Sequence, residues 1–578
     1  MNAALSRVLI VLSLPLAALT SRAGSAVSQP APMPAGAVRS VTVSTNALLE
    51  TLGVANFPGG IVRRGVTALG DAPDLTFVPD DAACPQNGGA GDVGSCVPAA
   101  GGGSWRVIPP SGGEDAREFG VAGNGVTDDE PAIAACAIGA AKCLLQGINS
   151  FSTTLASQAA AGSSSVVLTH AANLAIGGVI YIPAAGADGA LYLGSITGVA
   201  GTAISIVPKI GTAVSAGASV TGKSPVSYRV AKTLALPDGS DLEGTGFTAG
   251  DRPIGATIIC DLAVTPCIQK GALTTATNPG PRNSVTLRDI IQTRQFGPIP
   301  ANSIGIEEDQ EQEPSIEYVY ATRNDFCFYL KSTNPTARGS GLQFHGDHLW
   351  TGDCKTSHFV VDGWPVVILH DLKLGYGSPD AMGSASFFRI TGGPKSHPDA
   401  GPSTLDVTQV MAFGPTPAVQ TFVEFVNCPN CASTNGSIFR FDGGHVEATC
   451  HIITTDRTIT NLVDFFFTNF VVFGEPNESV NCRTGSTNFF NVDPATRPFT
   501  WIITGNHLGT SGTLRPIQPI QGLVIANNVL GADAQWDITG AAGSSVSCGN
   551  NLREFADQKL AVGHLRLHGG SYGAASDC

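Results

Sequence analysis

The sequence predicts an all-β chain built as a solenoid, with one short helix near its start. Three observations lead there. Short apolar strands begin near Ser284, Ser315, Gly341, Val366, Thr404, Ser437, Leu462, Thr500 and Gly522. Their spacing of roughly 20 to 40 residues suits coils joined by loops of variable length. Helical spacing of apolar residues is confined to one place, Ile133, Cys136, Ala137, Ala140 and Leu144. The spacing is also too long for an antiparallel sandwich, whose hairpin turns would recur about every ten residues. A repeat architecture overrides the several domains that 578 residues would otherwise suggest.

Taken in order, residues 1–23 read as a secretory signal peptide. Arg7 is the positive n-region, Val8 to Leu19 the apolar core, and Ser21-Arg22-Ala23 the cleavage site. That core is too short to span a membrane, and no other segment is long and apolar enough. Residues 24–40 are a flexible leader rich in Pro, Ala and Ser. Residues 41–112 form an amino-terminal module ending in a glycine-rich run and the strand Ser104 to Ile108, with Trp105 expected in its interior. Residues 151–222 are rich in Ala, Gly, Ser and Thr and nearly uncharged. Strands at Ser165–Leu168, Val179–Ile182, Leu191–Leu193 and Ile204–Val207 make them a small all-β insert, a structural decoration rather than a sugar-binding module. Residues 223–578 are the coils and a carboxy-terminal cap.

The segment 113–150 carries the most information. Its core reads EFGVAGNGVTDDEPAIAACAIGAAKCLL from Glu118 to Leu145. A strand ends at Phe119 and a turn with Gly120, Gly123 and Gly125 follows. Thr127 then caps a helix, with Glu130 completing a capping box and Pro131 tolerated in the first turn. This run resembles the lead-in of the pectate-lyase-like right-handed parallel β-helix superfamily, which often begins D-F-G-A-x-G-D-G-x-T-D-D. Glu118 stands for the first Asp and Asn124 for the second. The resemblance implies a right-handed parallel β-helix whose open end the helix plugs. Tyr228-Arg229-Val230, Thr233 to Gly239 and Leu242-Glu243-Gly244-Thr245-Gly246 resemble the first coil of the same proteins. A module with a tryptophan just before the lead-in also resembles phage tailspike-like members. About a dozen coils would make a rod of about 55–60 Å.

Fourteen cysteines suit an oxidising compartment, so the protein is expected outside the cell or in the periplasm. They fall into near neighbours, and local disulfides are expected: Cys84–Cys96, Cys136–Cys143, Cys260–Cys267, Cys327–Cys354, Cys428–Cys431, Cys450–Cys482 and Cys548–Cys578. Cys428 and Cys431 have metal spacing, but no second C-x-x-C accompanies them. The formal charge is −14 and no basic block appears, which argues against a nucleic-acid partner.

One hexapeptide recurs. Phe344-His345-Gly346-Asp347-His348-Leu349, Phe441-Asp442-Gly443-Gly444-His445-Val446 and Ile503-Thr504-Gly505-Asn506-His507-Leu508 share an apolar residue, x, Gly, x, His and an apolar residue. Ile525 to Leu530 keeps the frame without the histidine. Glycine beside Asp, Gly or Asn suits a corner needing left-handed dihedrals. The frame aligns His348, His445 and His507 along one groove, or stacks them as corner structure. His445 and Glu447 lie two apart and share a strand face; Asp347 and Asp353 lie near His348. An imidazole and a carboxylate on a groove wall are what proton transfer at a sugar needs.

The resemblance brings two chemistries. The polygalacturonase-like hydrolases carry N-T-D, D-D and G-H-G runs on successive coils, and this chain lacks that set. Lyases need a base and a cation for the uronate carboxylate, for which Arg389, Arg440, Arg457 and Arg483 are candidates. The dense acidic run Glu307-Glu308-Asp309-x-Glu311-x-Glu313 reads as a solvated loop between coils. Calcium is the possible ligand there, and no other cofactor or metal is expected. The resulting expectation is an exported polysaccharide-binding and polysaccharide-cleaving protein, lyase ahead of hydrolase, acting as monomer or homotrimer. Its catalytic candidates are His445, Glu447, His348, Asp347 and Asp353. Arg440, Arg389 and His507 are its substrate-binding candidates. A non-catalytic adhesin or spike-like protein is the alternative.

Overall fold

A computed structural model of the chain describes residues 41–566 apart from short segments between strands. The longest of these are 272–285, 332–342, 376–385, 393–403 and 553–564. Residues 1–40 and 567–578 lie outside it, and with them the signal peptide, the leader and Cys578.

The chain is a right-handed parallel β-helix. Alternation of side chains puts one residue in two inward, and parallel hydrogen bonding stacks equivalent inward residues from coil to coil. One such column runs Cys143, Leu242, Leu287, Ile316, Gly346, Leu369, Val407, Phe441, Phe467 and Ile503. Three strands make one coil, so each of the early strands pairs with the strand three later in the chain. The core is one continuous cluster from Ala116 to Ile503, with stacked rings at Phe328, Phe359 and Phe388.

At the start of the solenoid, Glu114–Asp115, Asn124–Asp128 and Cys143–Leu145 form a coil that closes the amino-terminal end. Here the structure corrects the sequence reading. Ala116–Phe119 is a 3₁₀ turn, and the expected glycine turn contains the strand Asn124–Asp128. Thr127 belongs to that strand, so no capping box forms. The helix is Glu130–Gly139, and its N-cap residue Asp129 caps nothing with its side chain. The Asp129 carboxylate instead accepts from the Ala122 and Gly123 amides, at 2.7 and 3.2 Å, and pins the turn. The helix also stops short of Leu145, because Cys143–Leu145 gains a ladder against Leu242–Gly244, a tertiary gain that outweighs local propensity. Ile133, Cys136 and Ala137 are its buried residues.

The amino-terminal module is a five-stranded sheet around Trp105, which is fully buried and donates from Nε1 to the Leu52 carbonyl at 3.2 Å. The insert is a six-stranded antiparallel sheet from Ile148–Thr154 to Ser219–Pro225, with its own core around Ile180, Ile196 and Ile204.

Five disulfides join Cys84–Cys96, Cys136–Cys143, Cys260–Cys267, Cys327–Cys354 and Cys450–Cys482, each with Cα atoms 5.5 to 5.8 Å apart. Cys428 is also disulfide-bonded, and Cys431 lies outside the described residues.

The interior is not purely apolar. Lys270 and Glu308 are both fully buried and pair at 2.8 Å. Glu307 and Asp309 on the same strand, Ile304–Asp309, are also buried, and Lys331 lies 2.8 and 3.8 Å from them. The described part of the acidic run is therefore a buried, lysine-paired strand and not a solvated loop. Its pattern was misleading because the cations that compensate it come from other coils. His358 is buried against the Phe387 ring, and its Nδ1 lies 2.6 Å from the Thr351 hydroxyl. Burial lowers its pKa to about 3. A histidine buried neutral contributes stability fully above its unfolded pKa of about 6.5 and loses it as pH falls towards 3. Between pH 6.5 and 4 the melting temperature of the parent should therefore fall relative to that of His358→Gln, which lacks this contribution.

Candidate functional site

The outward residues fall on three faces. The first face ends in a corner where the chain turns with positive φ in successive coils: Asp289, Tyr318, His348, Asp371, Gln409, Gly443, Asn469, Gly505 and Asn527. This stack fixes the register of everything after it.

It also breaks the hexapeptide frame. The second and third copies coincide, with Gly443 and Gly505 at the corner and His445 and His507 two residues beyond. The first copy is two residues out of step. Gly346 is an inward position, where an added Cβ would lie 2.6 Å from Leu349 and 2.7 Å from Leu369. His348 is itself the corner residue, with φ 52°. Gly346 is thus glycine for lack of interior space, whereas Gly443 and Gly505 serve the left-handed turn.

Two separate clusters result. At the corner, His348 Nδ1 lies 3.0 Å from Asp347 Oδ1, its Nε2 3.0 Å from Asp371 Oδ2, and its ring stacks on Tyr318 at 4.4 Å. His370 Nδ1 meets the same Asp347 oxygen at 2.9 Å. Partial burial raises the Asp347 pKa, but hydrogen bonds from His370 and His348 outweigh it and hold the carboxyl below its ordinary value.

The second cluster lies three coils further along, on the second face. His445 Nε2 and Glu447 Oε1 are 2.8 Å apart, with side chains 32% and 44% exposed. Their strand, Ile438–Thr455, holds both on one outward face because they are two residues apart. Rings lie on both sides. Phe413 is 5.9 Å from the His445 ring on the preceding coil, Phe473 is 5.4 Å away on the next, and His507 is 6.5 Å beyond Phe473. Met411, paired with His445, and Phe473 are 47% and 36% exposed. Lys373 pairs with Met411, one coil further back. The exposed apolar side chains of Met411 and Phe473 flank the hydrogen-bonded His445–Glu447 pair on the coils before and after it.

The remaining candidates lie apart from it. Asp353 is at a second corner, φ 51°, level with Arg323. Arg440 is on the first face, 3.2 Å from Asp406 and over the Phe466 ring. Arg389 is on the third face, 4.0 Å from Glu424. Arg457 and Arg483 lie outside the described residues. Sequence reasoning missed Phe413, Phe473, His370 and Asp371. Phe413, Glu447 and Phe473 share one offset from the corner residues Gln409, Gly443 and Asn469, a signal readable only once the corners are aligned.

No family model matches the chain, and no curated protein matches it. Among solved structures it is similar to full-length tailspike protein 2 of an Escherichia coli O157:H7 bacteriophage, at 12% identity and TM-score 0.37, over 79% of this chain and 51% of that one. It is also similar to the tailspike of Acinetobacter phage vb_AbaP_AS12, at 10% identity and TM-score 0.39, over 92% and 79%. A third is the tailspike of Acinetobacter baumannii bacteriophage AP22 in complex with a capsular saccharide, at 10% identity and TM-score 0.21, over 70% and 68%. The chain spans about half the length of the first of these. Likeness this distant carries nothing about the chemistry of the site.

Proposed function

We propose that the protein binds a polysaccharide along its second outward face and cleaves it at the His445–Glu447 pair, by elimination in preference to hydrolysis. One observation carries the reading: a hydrogen-bonded imidazole and carboxylate, both open to solvent, between the half-buried Phe413 ring and the exposed Phe473 ring on the neighbouring coils. Apolar sugar faces pack on such rings, as amphipathic surfaces generally do. In elimination, Glu447 takes the proton from the carbon beside a uronate carboxylate, the glycosidic carbon–oxygen bond breaks, and His445 returns a proton to the leaving oxygen. A carbon–carbon double bond remains in the product. Hydrolysis needs a second carboxylate about 5–10 Å from the first. The outward positions of the adjacent coils hold Met411, Phe413, Val471 and Phe473 instead.

We also take the protein to act after export, as monomer or homotrimer. Its paired cysteines fit an oxidising compartment. No helix among the described residues is long and apolar enough to cross a membrane.

The test is a panel of acidic and neutral glycans incubated with purified protein. New ultraviolet absorbance from the double bond is the expected result. New reducing ends without it would replace elimination by hydrolysis. Binding without either product would make the protein an adhesin.

A further inference from the structure

The joint between the amino-terminal module and the closing coil is crowded with buried acids. Glu114 and Glu118 are 1% and 3% exposed. Both oxygens of Glu114 and Oε2 of Glu118 have no hydrogen-bond partner among the described residues. Asp92, 5% exposed, faces Glu114 from the module, and its carboxylate already accepts from the Ser95 and Cys96 amides at 2.8 and 2.9 Å. The contact is close: a Cβ on Gly139 of the capping helix would lie 2.6 Å from Asp92 Oδ2. Asp115 and Arg117 face Glu118 from its own segment, and the two bind each other at 2.7 Å.

One cation reaches across from the module. Arg63 is fully buried, but it gives its guanidinium hydrogens to the Glu118 and Val93 carbonyls and to Asn46 Oδ1, not to either glutamate carboxylate. The glutamates thus have a nearby charge but no direct ion pair. A buried carboxylate in that position is costly unless it holds a proton.

We propose that this joint is a proton-operated latch: Glu114 and Glu118 seat the module on the closing coil when protonated, and loosen it when ionised. Burial first, and then Asp92, raise Glu114 to about 7. Burial, then Asp115 and Glu114, outweigh Arg63 and Arg117 and raise Glu118 to about 8. A carboxyl whose folded pKa lies above its unfolded value of about 4.5 stabilises fully below that value and loses the contribution as pH rises through the folded one. The window is therefore about pH 4.5 to 8. Asp129, beyond Asp115 in the closing coil, is also raised by burial, to about 6, and adds to the lower part of the window.

Hydrogen exchange on the full-length protein tests the proposal. Rates for the amides of residues 114–123, divided by the intrinsic rate at each pH, report opening of the joint. Opening should increase at least about 100-fold from pH 5 to pH 8, from up to tenfold per pH unit for each carboxyl. The Ser104–Val107 strand of the module should stay protected, because the module undocks without unfolding. The double variant E114Q/E118Q, neutral at every pH, should lose most of the dependence and stay closed at pH 8. If that variant does not fold, E118Q alone should remove the upper half of the rise. A flat profile in the unmodified protein, or an unchanged one in the glutamine variants, would overturn the latch.

Discussion

Replacing Glu447 by glutamine should reduce turnover at least about 100-fold, the usual scale for losing one general acid or base. Glutamine keeps the shape of the side chain, so it still fills its place beside the His445 ring, but it cannot take a proton. The loss should appear in kcat, with KM little changed, because sugar contacts on Phe413, Met411 and Phe473 remain. His445→Ala should cost a similar factor. Both side chains are partly exposed, so neither substitution opens a core cavity and both variants should melt within a few degrees of the parent. Full activity in both would move the chemistry elsewhere, with the Asp347–His348–His370 cluster next to be tested. Unfolding of both would show that the imidazole row holds the coils together.

The largest stability effect should come from the interior. Lys270→Met removes the ammonium group 2.8 Å from Glu308 and leaves a carboxylate that is fully buried. Breaking one side of a buried pair typically costs about 3–5 kcal/mol. The double variant Lys270→Met/Glu308→Leu removes both charges together and should be near neutral or more stable, since the pair spends most of its attraction on desolvation. Denaturant unfolding of the two variants beside the parent measures the difference. Equal losses in the single and double variants would mean that the site is sensitive to shape and not to charge.

The amino-acid sequence by itself determined the local features. The short disulfide loops at Cys84–Cys96 and Cys136–Cys143, the insert strands and the i, i+2 placement of His445 and Glu447 depend on residues close together in the chain. Backbone sterics and side-chain alternation fix these within one turn or one strand. Only the tertiary structure decided register. The loops between coils differ in length, so nothing local counts residues from one corner to the next. Stacked hydrogen bonds do that counting. They put Gly346 in the core while Gly443 and Gly505 make corners, ended the capping helix at Gly139, and turned Glu308 inward to meet Lys270 while Glu307 and Asp309 meet Lys331 on the opposite face. Strand side chains alternate, so a slip of one residue sends each to the opposite face. Even a slip of two, as in the hexapeptide, moves a histidine from a face to a corner. That is why Asp347–His348 and His445–Glu447, alike in sequence, are different sites in the folded protein.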